Sequence, residues 1–227
     1  MSDISEKIQT RGFWAVRVHP LDFQKNRISK HSVLIGAVKK CTVDFREWDF
    51  PHFDHKAPTI RTPDYVEQEI DWQHHIELWR AYKNGQFVSI SALWDDWRNQ
   101  SDLWPATTEW APGDELSVED TVFRMVEIFE FAARWARVAN VGNEIVVECK
   151  LQGLEGRALR IGPGRAGFID RRAASINEWE WKNQYPLAVL FSTPRKLAID
   201  PVINLFELFG WDTNENIIRD IQKELRA

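Results

Sequence analysis

Residues 47 to 56 read EWDFPHFDHK, a run that crowds Glu47, Asp49, His52, Asp54 and His55 around a proline. Imidazole nitrogens and carboxylate oxygens bind zinc or non-haem iron when one element brings several of them together. The candidate metal ligands are therefore Asp49, His52, Asp54 and His55, with His74 and His75 in reach if the chain folds back. No helical period runs through the segment, so nothing local makes the two turn histidines converge. A stiff aromatic turn with solvated acids and no metal is the preferred reading, because a metal also needs outer groups that orient its ligands.

Glu148 and Lys150 carry a second candidate chemistry. They are separated by one residue in IVVECKL, and side chains two apart on a strand share a face. The pair resembles the E-x-K of metal-dependent nucleases of the PD-(D/E)xK type, in which such groups hold Mg²⁺ and the attacking water. That chemistry needs a further carboxylate on a neighbouring strand. Asp114 is the available one, and it precedes a predicted helix instead. The preferred assignment is no catalytic residue, with Glu148, Lys150 and Asp114 as the nuclease alternative.

Gly162 to Gly167, GPGRAG, spells GxGxxG after a strand, but Pro163 removes an amide and FIDRR does not open an apolar helix. A dinucleotide site needs both. No cofactor is expected. Around this loop stand Arg157, Arg160, Arg165, Arg171 and Arg172, whose guanidiniums could grip phosphates of a nucleic acid or solvate a loop. No GxSxG, HExxH or Walker lysine occurs.

Aromatic residues dominate the composition. Of twelve tryptophans, eight lie between Trp14 and Trp110. Indoles suit cores and protein interfaces alike. Trp94, Trp97, Trp104 and Trp110 are the candidate anchors for a protein partner.

These groups must be carried by elements that the pattern predicts. FWAVRV (13 to 18) alternates as a strand, LDFQKNRI suggests a short helical turn, and SVLIGAVKK has helical spacing. CTVDFREWDF (41 to 50) reads as a strand ending at Pro51, and HKAPTIRTP as a loop. Asn84-Gly85 between β-forming runs predicts a hairpin with a type I′ turn. Ser117, three residues before Asp120, caps a helix whose apolar face is Val122, Met125, Val126, Phe129, Ala133 and Ala136, ending near Asn140. IVVECKL (145 to 151) reads as a strand with ALRI (158 to 161) pairing back onto it. EWEWKNQYPLAVLFS reads as strand interrupted at Pro186. PVINLFELFG makes a helix closed by Gly210, and Asp212 with Glu215 starts a last helix with the stripe Ile217, Ile218, Ile221 and Leu225.

Strands and helices mix without a βαβ rhythm. The expectation is an α+β fold, with mixed or antiparallel sheets, a long central helix and C-terminal helices. The chain is read as a single domain, 1–227, with a division into a Trp-rich β-rich lobe (1–113) and an α+β lobe (114–227) as the alternative. It has 227 residues, a net charge of −5, and 44% apolar and 28% charged residues. That acidic balance argues against a surface built wholly for nucleic acid. Cys41 and Cys149 are far apart, which encodes neither a disulfide framework nor a thiolate zinc site. No run reaches the roughly 20 apolar residues of a membrane span, and no signal segment opens the chain, so a cytoplasmic protein is expected.

REWDFPHFD (46 to 54) and WRAYKNGQF (79 to 87) resemble segments of uncharacterised prokaryotic domains that accompany Schlafen-like, Alba-type ATP-binding or DNA-binding modules. The resemblance covers about the first 140 residues, and its motifs are structural. It implies an accessory or sensing domain that works beside an enzymatic partner in a bacterial multigene system such as phage defence. The expected function is thus a non-enzymatic accessory or sensing protein that binds a protein partner. The metal-dependent nuclease and a non-catalytic nucleic-acid binder through the arginine patch are the alternatives.

Overall fold

A strand with period-two alternation can bury every other side chain against a layer of helices, and residues 13–20 do so. The structure is a computed structural model that describes residues 3–98, 111–162, 165 and 167–225. It opens with helix α1 (Asp3–Ile8), strand β1 (Phe13–Pro20) and helix α2 (His31–Cys41). Strands β2 (Ile60–Arg61), β3 (Tyr65–Trp72), β4 (His75–Tyr82) and β5 (Phe87–Ala92) follow, then a 3-10 turn at Trp94–Trp97. After these come β6 (Glu115–Ser117), α3 (Val118–Val138), β7 (Glu144–Gln152), β8 (Ala158–Arg160) and β9 (Glu178–Pro186). Helices α4 (Leu187–Ser192), α5 (Pro194–Leu197), α6 (Ile199–Glu207) and α7 (Glu215–Gln222) close the chain.

The fold is α+β. Seven strands form one sheet in the order β2-β3-β4-β5-β1-β7-β9, and all of its pairings are antiparallel. Strands from both sides of residue 113 contribute, with β1 seated between β5 and β7. A continuous set of buried apolar side chains runs from Trp14 to Leu225. No helix among the described residues is long and apolar enough to cross a membrane.

Helix α3 starts as the sequence predicts. The Ser117 hydroxyl accepts from the Asp120 amide, and a cap of this kind contributes about 1 kcal/mol. Val122, Met125, Val126, Phe129, Ala133 and Ala136 are all buried. The ring of Phe131 meets Phe87 at 4.4 Å, and the Trp135 indole donates to the Gly85 carbonyl at 2.8 Å. On the opposite face of the sheet α1 covers the strands β3 to β5, and Ile8 is fully buried there.

Several expectations are corrected. Residues 41–50 form no strand: Val43 and Phe50 bridge each other through paired backbone bonds, so the segment turns back on itself and frees Arg46 and Trp48 to project from the loop. Residues 21–28 form bends without a helix, held by Arg27 to Asp22 and to the Asn140 carbonyl. The β4–β5 hairpin exists, but only Gly85 has positive φ, and Tyr82 bonds Gln86. That is a type I turn closed by a left-handed glycine, which suits a three-residue loop better than type I′. Strand β8 pairs with β6 in parallel and leaves β7 to β1 and β9. Beyond Pro186 the chain turns helical, since β9 already fills the sheet position. Asn214 caps α7 in place of Asp212, accepting from the amides of Asn216 and Ile217. Ile217 faces outward while Ile218, Ile221 and Leu225 are buried.

Candidate ligand pocket

Strand register brings distant residues to one end of the sheet. Trp72 lies opposite His75 across the β3–β4 turn, and Ile70 lies opposite Glu77. Glu77 in turn faces Ser91, and Ser91 faces Trp14. Even spacing along β4 puts His75 and Glu77 on the same face as Trp79 and Ala81, the face toward α3. Here the first turns of α3 and the loop carrying Arg46 and Trp48 stand off from the sheet. They enclose a cavity of about 560 Å³ with the 3-10 turn as a further wall.

The wall rings of Trp48, Trp72, His75 and Trp94 lie nearly parallel. His52 stacks on Trp48 at 3.8 Å, and Trp48 stacks on His75 at 3.9 Å with 5° between planes. Trp72 is within 5° of Trp48 at 5.7 Å. Beyond His75 the next parallel ring is Trp94, 6.4 Å away and tilted by only 6°. The column His52, Trp48, His75, Trp94 therefore has one wide step, bordered by the inclined ring of His74.

Charge sits at the floor and along one wall. Glu77 is 2% exposed and its carboxylate accepts from the His52 amide at 3.3 Å. Burial pushes its pKa up to about 7, against the pull of Arg124 and His52. Burial, aided by His74 and Arg124, holds His75 down at about 3, so its ring is neutral. For His52 burial opposes the charge, but the hydrogen-bonded Asp49 carboxylate wins and the pKa rises. Arg46 is matched by Asp120 at 2.9 Å and Glu127 at 2.7 Å. Arg124 lies over Phe50 and 3.4 Å from Glu127, and its buried Nη1 makes no hydrogen bond. The cavity thus offers flat apolar faces together with a carboxyl poised between its two protonation states and an incompletely bonded guanidinium. Such a mixture of apolar walls and few polar groups is what small-molecule sites use.

The run EWDFPHFDHK forms a loop packed through its aromatic side chains. Phe50 and Phe53 are buried, and the Trp79 indole donates to the His52 carbonyl at 2.8 Å. Asp49 binds His52, Asp54 accepts from the Lys56 amide, and His55 lies against Phe53. No group of three His, Cys, Asp or Glu among the described residues could hold a metal ion.

Glu148 and Lys150 share the face of β7 away from α3, where each is bound into cross-strand ion pairs. Glu148 meets Lys182 at 2.7 Å and His19 at 3.2 Å, and Lys150 meets Glu180 at 3.0 Å. Asp114 accepts from the Ala111 amide at the entrance to β6, and β6 belongs to the separate two-stranded sheet.

Each arginine of the group is bound within the chain, and Arg160 and Arg165 line one cleft. Arg157 is buried against Asp96, with Nη1 to Oδ1 at 2.8 Å. Arg160 pairs with Glu115, Arg165 with Glu224, and Arg171 and Arg172 donate to the Gly156 and Gly210 carbonyls. In the GPGRAG loop Gly162 donates to Glu119, while residues 163, 164 and 166 lie outside the described residues.

Of the candidate anchors, Trp94 walls the cavity, and Trp97 lies beneath the cations of Lys7 and Arg11. Trp104 and Trp110 lie outside the described residues. Sequence reasoning passed over Trp48, Trp72, His75, Glu77 and Arg124 as a group. The available signal was HIELWRAY itself, in which an imidazole and a carboxylate occupy the same alternation phase as buried Trp79 and Ala81. No protein-family model matches the chain, and no curated protein or solved structure matches it either.

Proposed function

We propose that this is a sensing protein that recognises a flat nitrogen heterocycle of the nucleobase class in the aromatic cavity and does not transform it. The observation that carries the reading is the wide step in the ring column. A planar group between His75 and Trp94 needs two carbon contacts in series, about 7 Å in all. The two centroids stand 6.4 Å apart, so Trp94 must shift outward by at least about half an ångström to admit the group. Beside the slot, Glu77 can accept from or donate to the rim of a heterocycle, and Arg124 has a donor to spare. Stacking of a base on an aromatic side chain contributes about 1–3 kcal/mol. Working beside an enzymatic partner in a bacterial multigene system, such a module would report ligand occupancy to that partner.

Titration with adenine, guanine, cytosine and uracil, read by indole fluorescence and thermal stability, tests the proposal. At least one base is expected to quench fluorescence and raise the Tm, and Trp94→Ala to weaken it by about tenfold or more, in line with the loss of one stacking face. If no base alters either signal, or if Trp94→Ala binds as wild type does, the reading is wrong.

A further inference from the structure

Strand β9 is the outer strand of the large sheet: β7 flanks it on one side and, among the described residues, no strand flanks it on the other. It is nine residues long, enough to present a row of backbone donors and acceptors to another chain. Edges are commonly guarded by charge, and Glu178, Glu180 and Lys182 are exposed. Their order, however, is self-complementary.

We propose that β9 pairs antiparallel with β9 of a second copy of this chain about a two-fold axis at Trp181. An axis normal to the sheet keeps each face on its own side, so residues of like phase oppose one another. With the axis at Lys182, that lysine faces itself, and with the axis at Glu180, that glutamate faces itself. At Trp179 the axis sets Glu178 against Glu180, and at Asn183 it makes no charge pair. Only at Trp181 does Glu180 face Lys182 of the second copy, twice over, with no like charges opposed.

The pattern already present inside the chain continues across that axis. Arg17 faces Glu148 on β7, and Glu148 faces Lys182 on β9, at 3.7 and 2.7 Å. Next outward would come Glu180 of the second copy and then its Lys150, a pair that within one chain stands at 3.0 Å. Signs alternate along the whole row. On the other face half-buried Trp181, whose indole donates to the Tyr185 hydroxyl, would meet its own copy.

Sedimentation velocity on the whole chain tests the proposal. Wild type is expected to be dimeric at about 50 µM, where a micromolar Kd populates the dimer. Glu180→Lys alone and Lys182→Glu alone should each weaken the dimer by about tenfold or more, because like charges then face each other. Mixing the two variants should restore it, since every cross-axis pair is again of opposite sign. Independently of any variant, hydrogen exchange of the amides from Glu178 to Gln184 should slow as wild type is concentrated. A monomer at that concentration, a dimer indifferent to both substitutions, or concentration-independent exchange in β9 would overturn the proposal.

Discussion

The two ends of the space between α3 and the sheet make an instructive pair. At the closed end Phe87, Phe131 and Trp135 interlock with ring centroids 4.4 to 5.8 Å apart. At the open end Trp72, His75, Glu77 and Ser91 take the equivalent inward positions, and a cavity remains. Both ends use the same helix and the same strands, so secondary structure does not separate them. Phenyl and indole groups fill the closed end at crystal-like density. At the open end a carboxylate and an imidazole resist desolvation, and each must find a hydrogen-bonding partner before its surroundings can close.

Removing volume at the closed end should have the largest effect on stability. Phe131→Ala is expected to cost about 3–5 kcal/mol in a urea titration, because a cavity replaces a fully buried ring. Trp94→Ala at the open end, where a cavity already exists, should cost less than about 1 kcal/mol. Equal losses would mean that the two ends are packed alike.

The wall of the open end depends on a buried ion pair. Asp96 binds Arg157 and also accepts from the amides of Gly12 and Gly113, which fastens the turn bearing Trp94. Asp96→Ala leaves the Arg157 cation buried and unpaired, and the expected loss is about 3–5 kcal/mol. Loss of heterocycle binding in any folded fraction would show that the wall, and not only the fold, needs this pair.

The smallest of these effects is a difference in pH response. Glu77 has a folded pKa near 7, above its ordinary value of 4.5. Its contribution to stability is therefore full below pH 4.5 and is lost as pH rises through 7. At about 1.4 kcal/mol per pH unit the loss is about 3.5 kcal/mol. His75, lowered to about 3 from 6.5, acts in the opposite sense, its stability present above 6.5 and lost as pH falls through 3. The two slopes oppose each other between pH 4.5 and 6.5. Glu77→Gln should stabilise the protein above about pH 7 by removing the Glu77 share of the fall, while His52, whose raised pKa has the same sign, and His75, with the opposite sign, still contribute. Denaturant titrations from about pH 5 to about pH 8 would measure this. An unchanged profile would mean that Glu77 titrates normally and that its carboxyl is solvated.

Legibility followed the range of the interactions. Ser117 and the stripe from Val122 to Ala136 lie within a few turns of each other, so capping and helical spacing revealed α3 before any tertiary contact was known. The same holds for β1, whose alternation is strict, and for β7 from Val147 onward. Residues 41–50 misled because their alternation is genuine, yet a bridge between Val43 and Phe50 claims the backbone bonds that a strand would have needed. The ligand pocket was illegible for a related reason: Trp48, His75, Glu77, Trp94 and Arg124 come from a loop, a strand, a 3-10 turn and a helix, with no shared local period.

By itself the order of residues determined the α+β class, the capped helix and the charge alternation along β7 and β9, since each rests on neighbours a few positions apart. Tertiary structure alone decided that Asp49 binds His52, that Arg157 is buried, and that Trp48, His75 and Trp94 lie parallel around a gap. Those outcomes depend on strand register and on which polar groups find partners when water leaves, and both are settled only when the whole sheet has formed.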